Sequence, residues 1–322
     1  MNYFITELGF EGIMPQEYTN LRAAETWIKY LDAYHINIFN VLNQNKKYNG
    51  DAWVIIPKGD EAVNYLVNNC FDTVQNLKSK FNKVYCIQEG ETTFWNKYNV
   101  TTQLWIYNQF LESDKIYTQN QYDLKWLKGL YGSKQLYGLL LSTIDDSVLD
   151  KSNFKPKTDT TIITGPFIND YNGFAQTVVA KQFDNEIHIP PMASSRMPTD
   201  SIATQDVIGV KYMNYMMWKE WMENLAQYKY GLFLVPSVGA ATFPLNCAYF
   251  GIPCIGTNKA ETQSKLFPEL SVDHLDLEKA TELAIRLKTD NKFYDEVSKY
   301  ALETIKTEFS KEKFLETVYK NF

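Results

Sequence analysis

The residue types best suited to chemistry are concentrated between Tyr230 and Thr257, in YGLFLVPSVGAATFPLNCAYFGIPCIGT. Ser237, Gly239, Ala240, Ala241 and Thr242 make a loop of small side chains between an apolar run (231–235) and a short apolar segment of helical character (243–250). Small side chains let a ligand approach the backbone. The helix that follows turns its unsatisfied N–H groups outward, which suits an anion and above all a phosphate. A tight strand-to-helix turn that binds nothing is the competing, lesser reading of the same residues. A second apolar run enters through Gly251-Ile252-Pro253. The order strand, loop, helix, strand is therefore one βαβ step of a parallel sheet. Uncharged runs this short suit strands buried on both faces, and their loop falls at the carboxyl edge, where open α/β sheets bind ligands.

Other reactive residue types offer less. Cys70, Cys86, Cys247 and Cys254 sit inside apolar runs at no metal-ligand spacing, as buried thiols in a reducing compartment do. His35 and His188 fall at or in strands, where a structural histidine is the more common case, and His274 lies in the turn-like VDHLDL. Neither an HExxH pair nor a Walker loop occurs, and no metal site is expected. Asp145-Asp146 is an adjacent acid pair, read as the end of a strand just before a linker.

The elements that must position the loop follow from length and periodicity. At 322 residues, with 45% hydrophobic and 15% aromatic residues, the chain can build two cores. A formal charge of −6 gives no global signature of a polyanion partner. The start, MNYFITELGF, lacks a basic segment followed by an apolar core, and no window is apolar for long enough to cross a bilayer. A soluble, cytoplasmic protein is expected.

Strands are predicted at 3–6, 35–41, 52–57 and 83–88. Between them, LRAAETWIKYLDAY places Leu21, Ala24, Trp27, Ile28 and Leu31 at helical spacing, with Thr19 or Asn20 as cap, and 61–69 and 73–81 also read as helices. A helix from 101, a strand at 115–118, a helix from about Asn120 and an apolar run at 136–144 complete a Rossmann-like half over 1–150. The polar stretch 151–159, with Pro156, reads as a linker. The pattern then restarts over 151–322, with strands at 160–164 and 186–189 and helices at 174–182, 213–227, 277–287 and 293–309. The last helix is free to pack back on the first half.

Two Rossmann-like halves, the Thr164-Gly165 turn after the second half's first strand, and the run from small-residue loop through helix to G-x-P resemble glycosyltransferases of the GT-B fold. The resemblance covers the layout of nearly the whole chain, though only about sixty residues carry a specific pattern, which ranks it at the level of a superfamily. It implies an α/β protein of two Rossmann-like domains facing each other across a cleft. A nucleotide-diphosphate sugar, a UDP-sugar first among them, would be held mainly by the C-terminal domain as a co-substrate and the acceptor by the N-terminal one. The reaction would be transfer of a hexosyl-type group to a hydroxyl. The leaving diphosphate's charge can be met without a metal, by helix N-termini and cationic side chains.

Carried onto this sequence, the resemblance places the phosphate end at Ser237, Gly239, Thr242 and Phe243. Gly165, Asn169, Tyr171, Asn172 and Gly173 would line the opposite side, and plain turn chemistry also accounts for that loop. Arg196 could fork onto diphosphate oxygens or simply be solvated. Many retaining members carry a glutamate in the helix before G-x-P. Here Asn246 stands at that place, able to donate and accept but without charge.

An inverting reaction needs a group that takes the acceptor's proton. Glu89, at the end of KVYCIQ, is the first candidate and Glu91 the second; a solvent-facing turn glutamate is the competing reading. The register KVYCIQEGETTFW also resembles the strand bearing the catalytic acid of phage DNA glucosyltransferases, where an aspartate stands at the position of Glu89. Glu7 and Glu17, in the first βα loop, could reach the same region, and Arg22 lies just beyond them. The acceptor stays open among a glycan, a lipid-linked sugar, a protein and a modified DNA base, the last implying viral DNA modification. Two other functions fit the same layout: a two-domain sugar- or nucleotide-binding protein without catalysis, and a sugar-nucleotide epimerase.

Overall fold

The computed structural model describes residues 1–7, 9–56, 60–164, 171–190, 209–236, 239 and 241–320. The chain forms two compact units. Met1–Tyr18, Arg22–Thr143 and Lys311–Phe322 make the first, and Thr19–Leu21 with Ile144–Ser310 make the second.

The first unit is built on a six-stranded parallel sheet. Its strands are β1 (Asn2–Thr6), β2 (Ala33–Asn37), β3 (Asp51–Ile55), β4 (Val84–Gln88), β5 (Lys115–Thr118) and β6 (Tyr137–Leu139), in the order β2-β1-β3-β4-β5-β6. Because side chains alternate across a strand, neighbouring residues enter opposite core layers. Ile5, Val54, Cys86 and Ile116 join one layer, which is closed by helices Val100–Glu112 and Gln121–Tyr131 among others. Phe4, Trp53, Ile87 and Tyr117 join the other. Helix Ala23–Tyr30 and the C-terminal helix Lys311–Val318 cover that second layer, with Trp27, Phe314 and Val318 fully buried. The Tyr117 hydroxyl donates to the Val318 carbonyl at 2.9 Å, and Lys115 Nζ to the Lys320 carbonyl at 3.1 Å.

The second unit carries β7 (Thr160–Ile163), β8 (Glu186–Ile189), β9 (Val210–Tyr212), β10 (Tyr230–Phe233), β11 (Cys254–Thr257) and β12 (Ser271–Val272), again all parallel. Their order is β12-β11-β10-β7-β8-β9. The chain builds outward from β7 to β9, returns to the centre, and builds outward again from β10 to β12. The direction of winding therefore reverses between β7 and β10. That reversal is the topological switch point, where open sheets leave a crevice at their carboxyl ends.

Several boundaries differ from those read in the sequence. The run 35–41 is not one strand: Asn37 accepts the Phe39 N–H at 3.0 Å and starts helix Ile38–Asn43. Asn20 does not cap the helix beginning at Ala23. Its side chain accepts the N–H of Trp218 at 3.2 Å, at the start of helix Trp218–Leu225. The 151–159 stretch packs within the second unit, where Lys157 Nζ donates to the Tyr228 carbonyl at 2.9 Å and burial pushes the ammonium down to about 8.

Candidate functional site

The loops leaving β7 and β10 carry most of the residues expected to bind a ligand, and the structure shows what holds them. Gln176, fully buried in helix Gly173–Ala180, accepts from the backbone and hydroxyl of Thr164 at 3.3 Å each and donates to the Tyr171 carbonyl at 2.7 Å. One amide thus fixes both ends of the segment after β7. Thr164 also reaches the Leu232 carbonyl of β10 at 2.9 Å, which locks the two strands together just before they diverge.

Asn172 sits in the left-handed region, φ 54°, one residue ahead of helix Gly173–Ala180. Asparagine tolerates that backbone because its short amide bonds locally. Here Nδ2 donates to the carbonyls of Leu234 at 3.0 Å and His274 at 3.4 Å. It therefore ties the turn after β7 to the turns after β10 and β12. Gly173 is buried, and its carbonyl accepts from the Thr177 hydroxyl at 2.9 Å.

Beyond β10, the Gly239 carbonyl receives the Glu261 N–H at 3.3 Å and the Ala241 carbonyl receives the Thr262 hydroxyl at 2.6 Å. The loop is thereby braced from the start of helix Glu261–Leu266. Helix Thr242–Tyr249 begins at Ala241, a residue with no side chain to cap it. Its first-turn N–H groups have no side-chain partner at the cap position, and they carry the positive end of the helix dipole to the carboxyl edge of the sheet. Thr242 is exposed there, whereas Phe243 is turned inward, its ring 6.4 Å from both Phe233 and Trp221. Asn246 is 8% exposed; with its amide turned to satisfy both ends, it accepts from Trp221 Nε1 at 3.1 Å and donates to the Thr242 carbonyl at 3.3 Å. That amide pins the helix to its neighbour. Gly251, at φ 60°, ends the turn after the helix, and a side chain there would meet Ser298 Oγ at 2.7 Å, so G-x-P is a packing requirement as well as a pattern.

A cation that the sequence reading did not single out stands on the same edge. Lys259, two residues past β11, places Nζ 3.5 Å from Asp273 Oδ2 and 3.4 Å from His274 Nδ1. Partial burial and then Lys259 lower the proton affinity of His274, which favours the neutral ring beside the ammonium. The only sequence signal for Lys259 was a lysine closely following a buried strand. Gly165, Asn169, Arg196 and Ser237 lie outside the described residues.

In the first unit, Glu89 follows β4 directly and is partly exposed. Two features set its position. Gln88 is buried, with Oε1 accepting from Trp95 Nε1 at 3.0 Å, and Gly90 takes φ 77° while its N–H donates to Gln119 at 3.2 Å. Glu91 accepts from the Thr93 hydroxyl at 2.9 Å, at the start of a short 3-10 turn, Thr92–Lys97. Asp123 anchors that turn by accepting the N–H and hydroxyl of Thr92 at 3.0 and 2.7 Å.

Glu89 shares its surroundings with two further carboxyls. Glu7 is raised in proton affinity by burial and then by Glu89. Glu25 is 3% exposed and pushed up to about 6, chiefly by burial, with Arg22 opposing and Glu89 adding to the effect. The Tyr18 hydroxyl lies 3.5 Å from Glu25 Oε1. The signal for Glu25 was present: it stands four residues after Leu21 and three before Ile28, on the apolar side of its helix, where an acid is out of place.

His35 and His188 are held in structural roles: His35 is fully buried between Thr6 Oγ1, at 2.8 Å, and the Phe10 carbonyl, and His188 lies between Tyr228 and Glu186. Asp145 accepts the Ser147 N–H at 3.0 Å and Asp146 the Tyr249 hydroxyl at 2.8 Å. Among the described residues, no group of three His, Cys, Asp or Glu side chains is placed to hold a metal, and no helix is long and apolar enough to cross a membrane.

No family model and no curated protein matches the chain. Among solved structures it is similar to an alpha-glucosyltransferase in complex with UDP, with a TM-score of 0.65, 11% identity, and coverage of 98% of this chain and 97% of that one. It is also similar to TarM of S. aureus, solved with UDP, at a TM-score of 0.62 and 11% identity over 83% of this chain. The chain spans 54% of that TarM chain, about half its length. A third similar structure is OtsA in its apo form, with a TM-score of 0.60, 12% identity, and coverage of 91% and 78%. The likeness is one of fold, and the fold is GT-B: α/β, with two Rossmann-like parallel sheets.

Proposed function

We propose that the protein is a glycosyltransferase that moves a hexosyl group from a nucleotide-diphosphate sugar, a UDP-sugar first among them, to a hydroxyl acceptor. One observation carries the reading: the switch point between β7 and β10 coincides with a braced, small-residue loop and a helix start that lacks a side-chain cap. Similarity of fold to an alpha-glucosyltransferase solved with UDP supports the choice of donor class.

In this reading the acceptor oxygen attacks the anomeric carbon, the bond from that carbon to the diphosphate breaks, and the acceptor's proton passes to Glu89. The departing diphosphate gains negative charge. The N–H groups at Gly239, Thr242 and Phe243, together with Lys259 and Arg196, meet that charge in place of a metal. Glu91 is the reserve base. Asn172 and Gln176 act one step back, by fixing the loops. With Asn246 committed to Trp221, no charged side chain faces the donor from the position where retaining relatives carry glutamate.

The test is release of nucleoside diphosphate from a panel of nucleotide sugars, with the anomer of any product read by NMR. Turnover that needs an acceptor supports transfer. Interconversion of the sugar without an acceptor would point to an epimerase, and binding without turnover to a binding protein.

A further inference from the structure

His274 Nδ1 stands between two groups that make opposite demands of it. Lys259 Nζ and Asp273 Oδ1 each lie 3.4 Å from it, and the same ammonium is 3.5 Å from Asp273 Oδ2. An ammonium can only donate, so toward Lys259 the nitrogen must offer its lone pair. A carboxylate can only accept, so toward Asp273 it must carry a proton. One nitrogen cannot do both, and contacts of this length lock neither arrangement.

The frame around this triangle is fixed. The Asn258 N–H donates to the Val272 carbonyl at 2.7 Å, which joins the turns after β11 and β12. Asp273 Oδ1 accepts the Leu275 N–H at 3.0 Å. The His274 carbonyl accepts from Asn172 Nδ2 at 3.4 Å, the same amide that holds the Leu234 carbonyl after β10. The ring is 13% exposed and packed in place. Lys259, 40% exposed on a flexible four-carbon stem, is the member free to swing.

Partial burial, and then Lys259 from the turn after β11, hold the proton affinity of the ring below its ordinary value of 6.5, while Asp273 from its own turn opposes them. The turns after β7 and β10 bring the uncharged Asn172 amide and Leu234. The ring is therefore neutral at pH 7 in the free protein. An anion at the switch point changes this balance. It draws the ammonium toward itself and leaves the ring between a carboxylate and the arriving diphosphate, both of which favour its charged form.

We propose that binding of the donor's diphosphate is coupled to uptake of a proton at His274, which frees Lys259 for the phosphates and replaces it beside Asp273. His274 is thus a positioning residue that acts through Lys259. The inference rests on the nucleotide-sugar reading above.

The test is titration of the full chain with UDP-glucose from about pH 5.5 to 8, followed by calorimetry and by NMR of the histidine ring protons. Phosphates substituted on both sides keep their charge over this range, unlike the terminal phosphate of UDP, which titrates at about 6. His274 in the complex binds its proton more tightly than in the free protein, so affinity is expected to rise as pH falls, by about threefold or more between pH 8 and 6. Calorimetry at neutral pH in buffers of different ionisation heat should show net proton uptake, and the His274 resonance should titrate at higher pH with ligand than without. His274→Gln, which identifies that resonance by its loss, should still bind UDP-glucose, without proton uptake and with an affinity flat across the range. Lys259→Ala should raise the titration of the free ring and remove most of the ligand's effect on it. Binding that leaves the wild-type His274 titration unmoved overturns the proposal and spares the donor reading. Absence of UDP-glucose binding overturns both.

Discussion

Glu89 and Glu25 illustrate how one residue type divides into separate roles by environment. Glu89 is partly exposed at a strand end, held between a buried glutamine and a left-handed glycine, and it keeps access to solvent. Replacing it with glutamine preserves shape and removes the carboxylate proposed above as the proton acceptor. Glu89→Gln is expected to keep nucleotide-sugar affinity within about twofold and lower transfer by about 10²–10⁴, a split that binding calorimetry and single-turnover rates read separately. Turnover close to wild type would pass the role to Glu91.

Glu25 is deeply buried, and raising its carboxyl from 4.5 to about 6 costs the ionised folded state about 2 kcal/mol, at roughly 1.4 kcal/mol per pH unit. The folded state holds the proton more tightly than the unfolded one, so this contribution favours folding below pH 4.5 and is lost as pH rises through 6. Glu25→Gln should therefore stabilise the protein by about that amount at neutral pH and by little in acid. Urea unfolding at several pH values checks this; a destabilised variant at neutral pH would mean the carboxylate has a partner worth more than its burial costs.

At the scale of elements, legibility in the sequence depended on length and on who supplies the hydrogen bonds. β1, β4, β5, β7, β8, β10 and β11 announce themselves as apolar runs bounded by turn residues. β12 is only two residues long and β9 three, too short for a period to register. Asn37 turned an apparent strand into a strand followed by a helix, and nothing in local propensity foretold that Asn20 would bond Trp218, 198 residues away. The small-residue loop after β10 was readable because its residues are contiguous. Lys259 was not, since it matters through what surrounds it in space; for Glu25 the sequence shows an acid on an apolar helix face and not the groups around it. Asn172 shows what joins these elements. Asn172→Ala removes two hydrogen bonds to turns and places a Cβ residue without a bonding side chain at φ 54°, and is expected to cost about 2–3 kcal/mol. Asn172→Gly should recover part of that through the backbone. Equal losses in the two variants, measured by chemical unfolding, would place the whole effect in the side chain.

For the whole molecule, the chain order and the spatial units do not coincide. The segment from Lys311 onward returns to the first unit and contributes Phe314 and Val318 to its core. Ending the chain after Ser310 should remove about 3–6 kcal/mol from that unit, the worth of burying those two side chains. An unchanged unfolding transition would show that the helix adds coverage and little energy. The second unit should keep its fold in the same variant, because its sheet and the loops of its switch point draw on none of those residues.

The central claim is that the edge of the second sheet, where β7 and β10 diverge, binds the diphosphate of a sugar nucleotide. Calorimetric titration of the full chain with UDP-sugars, UDP and uridine, repeated with Lys259→Ala, tests it most directly. Saturable binding of the diphosphates is expected, with little binding of uridine and about a tenfold or greater loss in Lys259→Ala, consistent with one charge-assisted contact. Uridine binding as tightly as UDP, or no nucleotide sugar binding at all, would contradict it.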